Sequence, residues 1–254
     1  MESRKTLLVL LSTVMLLVCA GPASPAQAPA LKIHPAHLDI STFFSGRQIV
    51  LSGSIPSDRD VVIEIKGPEE KSAFNMKGRV GPFWMNRGKV ELEKAPFLYA
   101  VLLPGEKEWR GSLSSSGLGI EQLKQTLVIK PRSANLAVVF PRFVQLKQSQ
   151  HLYGELNGAV QYSQPAGDMK HFDAKFYFPS STVAGKYRIL NRLFQNGRLE
   201  ETTVRSFTVE EVGFIKAVRE LAYDRGLLYG ILCVLIALFV GAVIGLLFRS
   251  TEAH

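Results

Sequence analysis

Residues 172–178 read FDAKFYF. Phe172, Ala174, Phe176 and Phe178 alternate with Asp173, Lys175 and Tyr177, and a period of two places the first set on one face of an extended chain. That is a strand with one buried and one wetted side. The pattern recurs on both sides of it. Ile49, Leu51, Gly53 and Ile55 alternate with Val50, Ser52 and Ser54, and after the turn residues Pro56, Ser57 and Asp58 come Val61, Ile63 and Ile65. Downstream, Tyr187, Ile189 and Leu193 share a side, and Asn196-Gly197 marks a hairpin, because a type I′ turn needs positive φ at both central positions.

Further short runs, Phe83–Met85, Lys89–Leu92 and Phe97–Leu103, arrive at the spacing of an antiparallel sandwich. Between the two strand sets lies a Gly/Ser stretch, Gly111–Gly119, which reads as a linker. A helical region follows, with Ile120, Leu123 and Leu127 on one face. Ser133 is placed to cap a second helix carrying Leu136, Val139, Phe140, Phe143, Val144 and Leu146, which Pro141 should kink or restart.

The two ends of the chain have another composition. Residues 227–248 read LLYGILCVLIALFVGAVIGLLF, without a charge, and a helix of that length covers roughly 30 Å of hydrocarbon. Just before it, Phe214, Ile215, Val218, Leu221 and Ala222 share a helical face opposite Lys216, Arg219 and Glu220, which predicts an amphipathic helix leading to the span. Tyr223 and Tyr229 fall where interfacial aromatics are favoured. At the other end, Arg4 and Lys5 precede the apolar run Leu7–Ala20, followed by small residues and prolines, the layout of a secretory signal peptide. Together these predict an N-out, C-in protein in the inner membrane of a bacterium, its middle in the periplasm and a short tail in the cytoplasm.

The chain carries a formal net charge of +8, a balance that suits lipid headgroups, envelope polymers or acidic partners. Export argues against nucleic acid. Its two cysteines, Cys19 and Cys233, lie in the two hydrophobic segments, so the exported region has no disulfide and no thiolate metal site, and core burial must hold it.

Several stretches in order carry a resemblance: Phe44-Ser45-Gly46, Lys66-Gly67-Pro68, Gly78-Arg79-Val80-Gly81-Pro82-Phe83-Trp84-Met85-Asn86, Ala95-Pro96-Phe97-Leu98-Tyr99, Leu152-Tyr153, Phe178-Pro179, Val183-Ala184-Gly185-Lys186-Tyr187, Leu193-Phe194-Gln195-Asn196-Gly197 and Leu228-Tyr229-Gly230. The chain resembles an uncharacterised transmembrane family first described from alphaproteobacteria, of about this length and with one C-terminal span. The resemblance implies location and architecture, and it carries over no catalytic residue or cofactor. It also implies an accessory role beside a permease similar to sulfite exporters. The chain departs from the family pattern at Pro82, which implies a different loop before Trp84.

Signatures of chemistry are few. Gly117-Leu118-Gly119-Ile120-Glu121-Gln122 starts like a dinucleotide fingerprint but has Gln122 in place of the third glycine and follows no strand. His34, His37 and Asp39, or Met169 and His171, have metal-ligand chemistry at an unspecific spacing. No metal, cofactor or catalytic residue is expected. Trp84 reads as a core plug. Lys186, Arg188, Arg192 and Arg198 read as one solvated basic stripe. In the span, Ala237, Gly241 and Gly245 recur every four residues, extended outward by Gly230, a strip of small side chains on which another helix can pack.

The expected architecture is mainly β, with two small immunoglobulin-like β-sandwich modules, a helical connection and one C-terminal transmembrane helix. The expected divisions are a signal peptide at 1–23, a first module at 31–104, a linker and helical segment at 105–150, a second module at 151–210, a juxtamembrane helix at 211–225, a span at 227–248 and a tail at 249–254. The expected function is a non-enzymatic accessory or interaction subunit of a membrane complex, such as a transport complex, contacting membrane lipid, a polytopic partner such as a sulfite-exporter-like permease, or a second copy through the span. The alternative is an anchored periplasmic binder of a small ligand or metal ion.

Overall fold

The computed structural model describes residues 31–105, 109–131 and 134–249, apart from the side chains of residues 76–78, 80, 84, 87, 110 and 249. The expected signal peptide, the Ser133 cap and the tail beyond residue 249 lie outside the described residues.

The mainly β expectation holds. Twelve strands are described: β1 Lys32–His34, β2 His37–Ile40, β3 Gly46–Pro56, β4 Asp60–Lys66, β5 Glu69–Val80, β6 Phe83–Pro96, β7 Tyr99–Pro104, β8 Val128–Lys130, β9 Tyr153–Tyr162, β10 Met169–Pro179, β11 Gly185–Gln195 and β12 Arg198–Glu211. The helices are α1 Arg110–Ser115, α2 Leu136–Ser149, α3 Phe214–Asp224 and α4 Gly226–Arg249, with a 3-10 turn at Ile120–Gln125.

The strands form two sheets, but the sheets do not follow the two halves of the sequence. One has nine strands in the order β1-β3-β10-β9-β7-β4-β11-β12-β2, and the other has three, β5-β6-β8. Strands from before residue 105 and after residue 150 alternate in the larger sheet: β3 pairs antiparallel with β10, β4 with β11, and β7 runs parallel to β9. Among the described residues they share one hydrophobic core.

This sheet folds onto itself. β9 pairs through Tyr153–Asn157 with β7 and through Val160–Tyr162 with β10. The register shifts between Leu103 and Pro104 opposite Gly158, whose φ of 74° is a conformation glycine adopts without strain. At this corner the chain leaves one layer for the other. The layers then meet face to face: Phe178 of β10 stacks on Phe207 of β12 at 5.6 Å and meets Tyr187 of β11 edge-on at 5.3 Å. The far edges also approach, because β1 and β2, at opposite ends of the order, are joined by Pro35-Ala36 alone. Three Cα steps span at most about 11 Å.

The stretch read as a linker contributes to the core. Trp109 and Leu113 are buried at α1, Trp109 meets Phe194 edge-on at 5.4 Å, and its Nε1 donates to the Pro104 carbonyl at 3.1 Å. Ile120, Leu123 and Leu127 are buried together, as their spacing predicts. α2 starts at Asn135, whose side chain accepts from the Ala137 N–H, and it runs unbroken through Pro141. Phe140, Phe143 and Val144 form its buried face.

Candidate functional site: the anchor and a rooted hairpin

The chain leaves the sandwich along β12, whose last residues pair with β2, and the Val212 N–H still donates to the Ile40 carbonyl at 2.9 Å. Gly213, with φ of 67°, turns the chain into α3. Arg219 of α3 holds Glu211 at 2.5 Å and so ties this helix to the strand end. Arg225 then leaves helical geometry, and α4 begins at Gly226. Residues Gly226–Phe248 are long and apolar enough to cross a membrane, and no part of that helix is buried in the protein.

The four small residues predicted to pack a neighbouring helix all lie on this exposed span. Nothing stands within 4 Å of a Cβ built at Gly230, Gly241 or Gly245, and Ala237 is likewise exposed. Ala237, Gly241 and Gly245 share a face by their spacing of four.

The second feature is the hairpin β5–β6. It replaces the turn between β4 and β7, which are adjacent antiparallel strands with Lys66 opposite Tyr99. Its root is tight: the Gly67 N–H donates to Leu98 O at 2.8 Å and the Phe97 N–H to Pro68 O at 2.7 Å. A Cβ at Gly67 would stand 2.9 Å from the Leu98 nitrogen, and one at Gly185 would stand 3.1 Å from Pro68 Cγ. The motifs Lys66-Gly67-Pro68, Ala95-Pro96-Phe97 and Val183-Ala184-Gly185 therefore meet at one corner. Tyr153 donates to Pro96 O at 2.7 Å, and burial pushes its phenol up.

α2 braces the lower half of this hairpin. Phe143 meets Phe74 edge-on at 5.9 Å, and buried Lys147 pairs with Glu70 while lying 5.0 Å from the centre of the Phe97 ring. Between them, Phe74, Val90, Val139, Phe143 and Leu146, with Arg142, line a groove of about 440 Å³. Beyond it, Phe83 and Met85 near the tip are exposed.

A second charged group is buried around Glu64. Glu64 has no exposed surface. Its Oε2 accepts from Arg192 at 2.6 and 3.1 Å, and its Oε1 accepts from the Tyr99 hydroxyl at 2.8 Å and from Lys66 at 2.9 Å. The Tyr99 hydroxyl in turn accepts from the Gly119 N–H at 3.1 Å. Desolvation first, and the Glu64 charge second, hold the Tyr99 phenol well above its ordinary range. The groups satisfy one another, which suits a structural clamp.

Arg192 therefore does not belong to a solvated stripe. Lys186, Arg188 and Arg198 remain exposed. Gly119 serves the same clamp through its N–H, and beside it the Ile120 N–H donates to Glu155 Oε1 at 2.8 Å, an oxygen from which a Cβ at Gly119 would stand 3.0 Å. The donors a phosphate would use are already taken. His34 and His37 stand on β1 and β2, and His37 faces Asp39 at 3.8 Å. His171 Nδ1 bonds Ser54 Oγ at 2.7 Å, beside exposed Met169. Among the described residues, no three His, Cys, Asp or Glu side chains group as a metal site.

The Trp84 side chain lies outside the described set, and the tryptophan seen in the core is Trp109. Sequence reasoning missed it, although Leu113, four residues on, was a helical signal. It also missed Asn191, buried on the core face of β11 with neither amide atom partnered among the described residues.

A search of curated proteins found no match to this chain. A sequence-family profile does match it, over residues 30–250, a range that takes in the sandwich, the hairpin, the juxtamembrane helix and the span. The chain belongs to the family described as "Putative transmembrane protein (Alph_Pro_TM)".

Proposed function

We propose that this protein is a non-enzymatic accessory subunit of the bacterial inner membrane, its β sandwich held in the periplasm and its C-terminal helix offered to a membrane partner. The observation that carries this reading is the wholly exposed apolar helix with its open strip at Ala237, Gly241 and Gly245. Lipid tails supply no hydrophobic drive between helices, so close backbone approach at small residues is what makes one helix prefer another. The partner is a polytopic protein, such as a sulfite-exporter-like permease, or a second copy. Support for a non-enzymatic role comes from the buried ionisable groups, which bind one another instead of opening on a cleft.

A second reading, an anchored binder of a small ligand, rests on the groove between α2 and the hairpin, whose volume of about 440 Å³ falls in the range of small-molecule sites.

Purification in mild detergent tests the first reading. A stoichiometric membrane partner, or a stable homo-oligomer, should be retained by the native chain and lost on Gly241→Leu or Gly245→Leu at unchanged membrane levels. Ile236→Ala, on another face, should keep it. If both glycine replacements leave association intact, the helix is an anchor only.

A further inference from the structure

In the outer half of the β5–β6 hairpin the described side chains, among them Arg79, Phe83, Met85 and Lys89, are exposed. From Met76 to Lys89 the sequence holds Lys77, Arg79, Arg87 and Lys89 and no acidic residue, with Phe83, Trp84 and Met85 just after the turn at Gly81-Pro82. The β5–β6 ladder keeps this stretch extended to the turn, Val80 standing opposite Phe83 and Arg79 opposite Trp84. Phe83 is 68% exposed and Met85 54%. Arg79 and Lys89 are exposed as well. Exposed Phe83 and Met85 are unfavourable in water, and with exposed Arg79 and Lys89 beside them they suit a surface that is apolar within and anionic at its rim.

The position of the root says which surface. Gly185, which Pro68 touches at the base of the hairpin, pairs with Val209, two residues before β12 ends and the chain turns toward its anchor. The hairpin therefore springs from the end of the sandwich nearest the membrane. Its 12-residue strand β5 is about 40 Å long at roughly 3.3 Å per residue. The anchor holds that length permanently beside a bilayer.

We propose that the hairpin tip docks into the anionic lipid surface of the bilayer that carries the span, exposed Phe83 and Met85 entering the headgroup boundary and exposed Arg79 and Lys89 meeting lipid phosphates. The tip is then a second membrane attachment, which fixes the tilt of the sandwich about its single span. Each Lys or Arg held at such a surface strengthens attachment by about fivefold, and large apolar side chains enter the interface as they do from amphipathic helices. The proposal needs only the anchor. Its failure leaves the co-purification result untouched, and the reverse also holds.

The chain contains its own probe, because one of its two tryptophans is at the tip and the other, Trp109, is 4% exposed in the core. The full chain is reconstituted in nanodiscs of phosphatidylcholine alone or with phosphatidylglycerol, with acyl chains brominated to quench nearby tryptophan. The expected result is quenching in phosphatidylglycerol discs that disappears in Trp84→Phe. It should fall to the phosphatidylcholine level in Arg79→Glu/Lys89→Glu, and be lost in Phe83→Ser/Met85→Ser. Circular dichroism and the Trp109 emission should stay unchanged throughout. Equal quenching in both lipids would overturn the anionic assignment. Absent quenching by bromolipid overturns the proposal outright, with iodide access then indicating a tip in water and no iodide access a tip covered by protein.

Discussion

Replacing Arg192 by Leu should be among the most destabilising single changes in the sandwich. Glu64 is fully buried and its Oε2 has Arg192 as its donor, through two nitrogens at 2.6 and 3.1 Å, with the Arg192 side chain itself only 14% exposed. Removing one partner of such a pair leaves a charge without water or a counter-ion on that side, at a cost of about 3–5 kcal/mol. Lys66 and Tyr99 still serve Oε1, which favours the lower half of that range. In a domain of this size each kcal/mol moves the melting temperature by about 2–4 °C, so a fall of roughly 6–16 °C should appear by circular dichroism in detergent. The double variant Glu64→Gln/Arg192→Leu should recover part of the loss, because no fully buried charge remains and Lys66, which loses its counter-charge, is 26% exposed to water. A loss under about 1 kcal/mol for Arg192→Leu, as for a surface ion pair, would refute the clamp.

Three further outcomes are expected. In an alkaline titration followed by phenolate absorbance, Tyr99, Tyr153 and Tyr187 should ionise well above the ordinary phenol range, because burial raises all three. Their contribution to stability is therefore complete below the unfolded phenol value and lost as pH rises toward the folded one, so a single late step coincident with unfolding is expected, and early titration of all seven tyrosines refutes it. Asn191→Leu should stabilise the protein by about 1–3 kcal/mol in denaturant titrations, since it removes buried polar atoms that have no partner; destabilisation would mean the amide is satisfied in solution. A reporter active only outside the cytoplasm should work when fused after Arg225 and fail after His254, the reverse pattern refuting N-out, C-in.

Much of the local structure could be read from the chain. The alternation at 49–55, 61–65 and 172–178 became β3, β4 and β10, Asn196-Gly197 became the β11–β12 turn, and the apolar run at 227–248 became α4. A period of two reports that a strand has a buried face, yet says nothing about which strand lies beside it. The pairing of β3 with β10 joins segments more than a hundred residues apart, and no local signal marks it. Arg192 was misplaced for the same reason: its partner Glu64 is 128 positions away and reads as an ordinary strand-face polar residue. Glycines were legible as turns and illegible as contacts. Gly67 and Gly185 are small because another segment's backbone or ring occupies the space a Cβ would fill, and that segment is known only once the chain has folded.

The pairing of β12 on both sides has a mechanical consequence. A pull on the membrane helix enters the sandwich at Glu211, the C-terminal end of β12, along the strand's own axis. There β11 holds β12 over the length of Gly185–Gln195 and β2 holds it over four residues in parallel. Loaded this way, the ladder bonds are sheared together rather than opened one after another from an end. An axial pull would therefore be shared across both ladders, and the domain would resist peeling apart at its attachment.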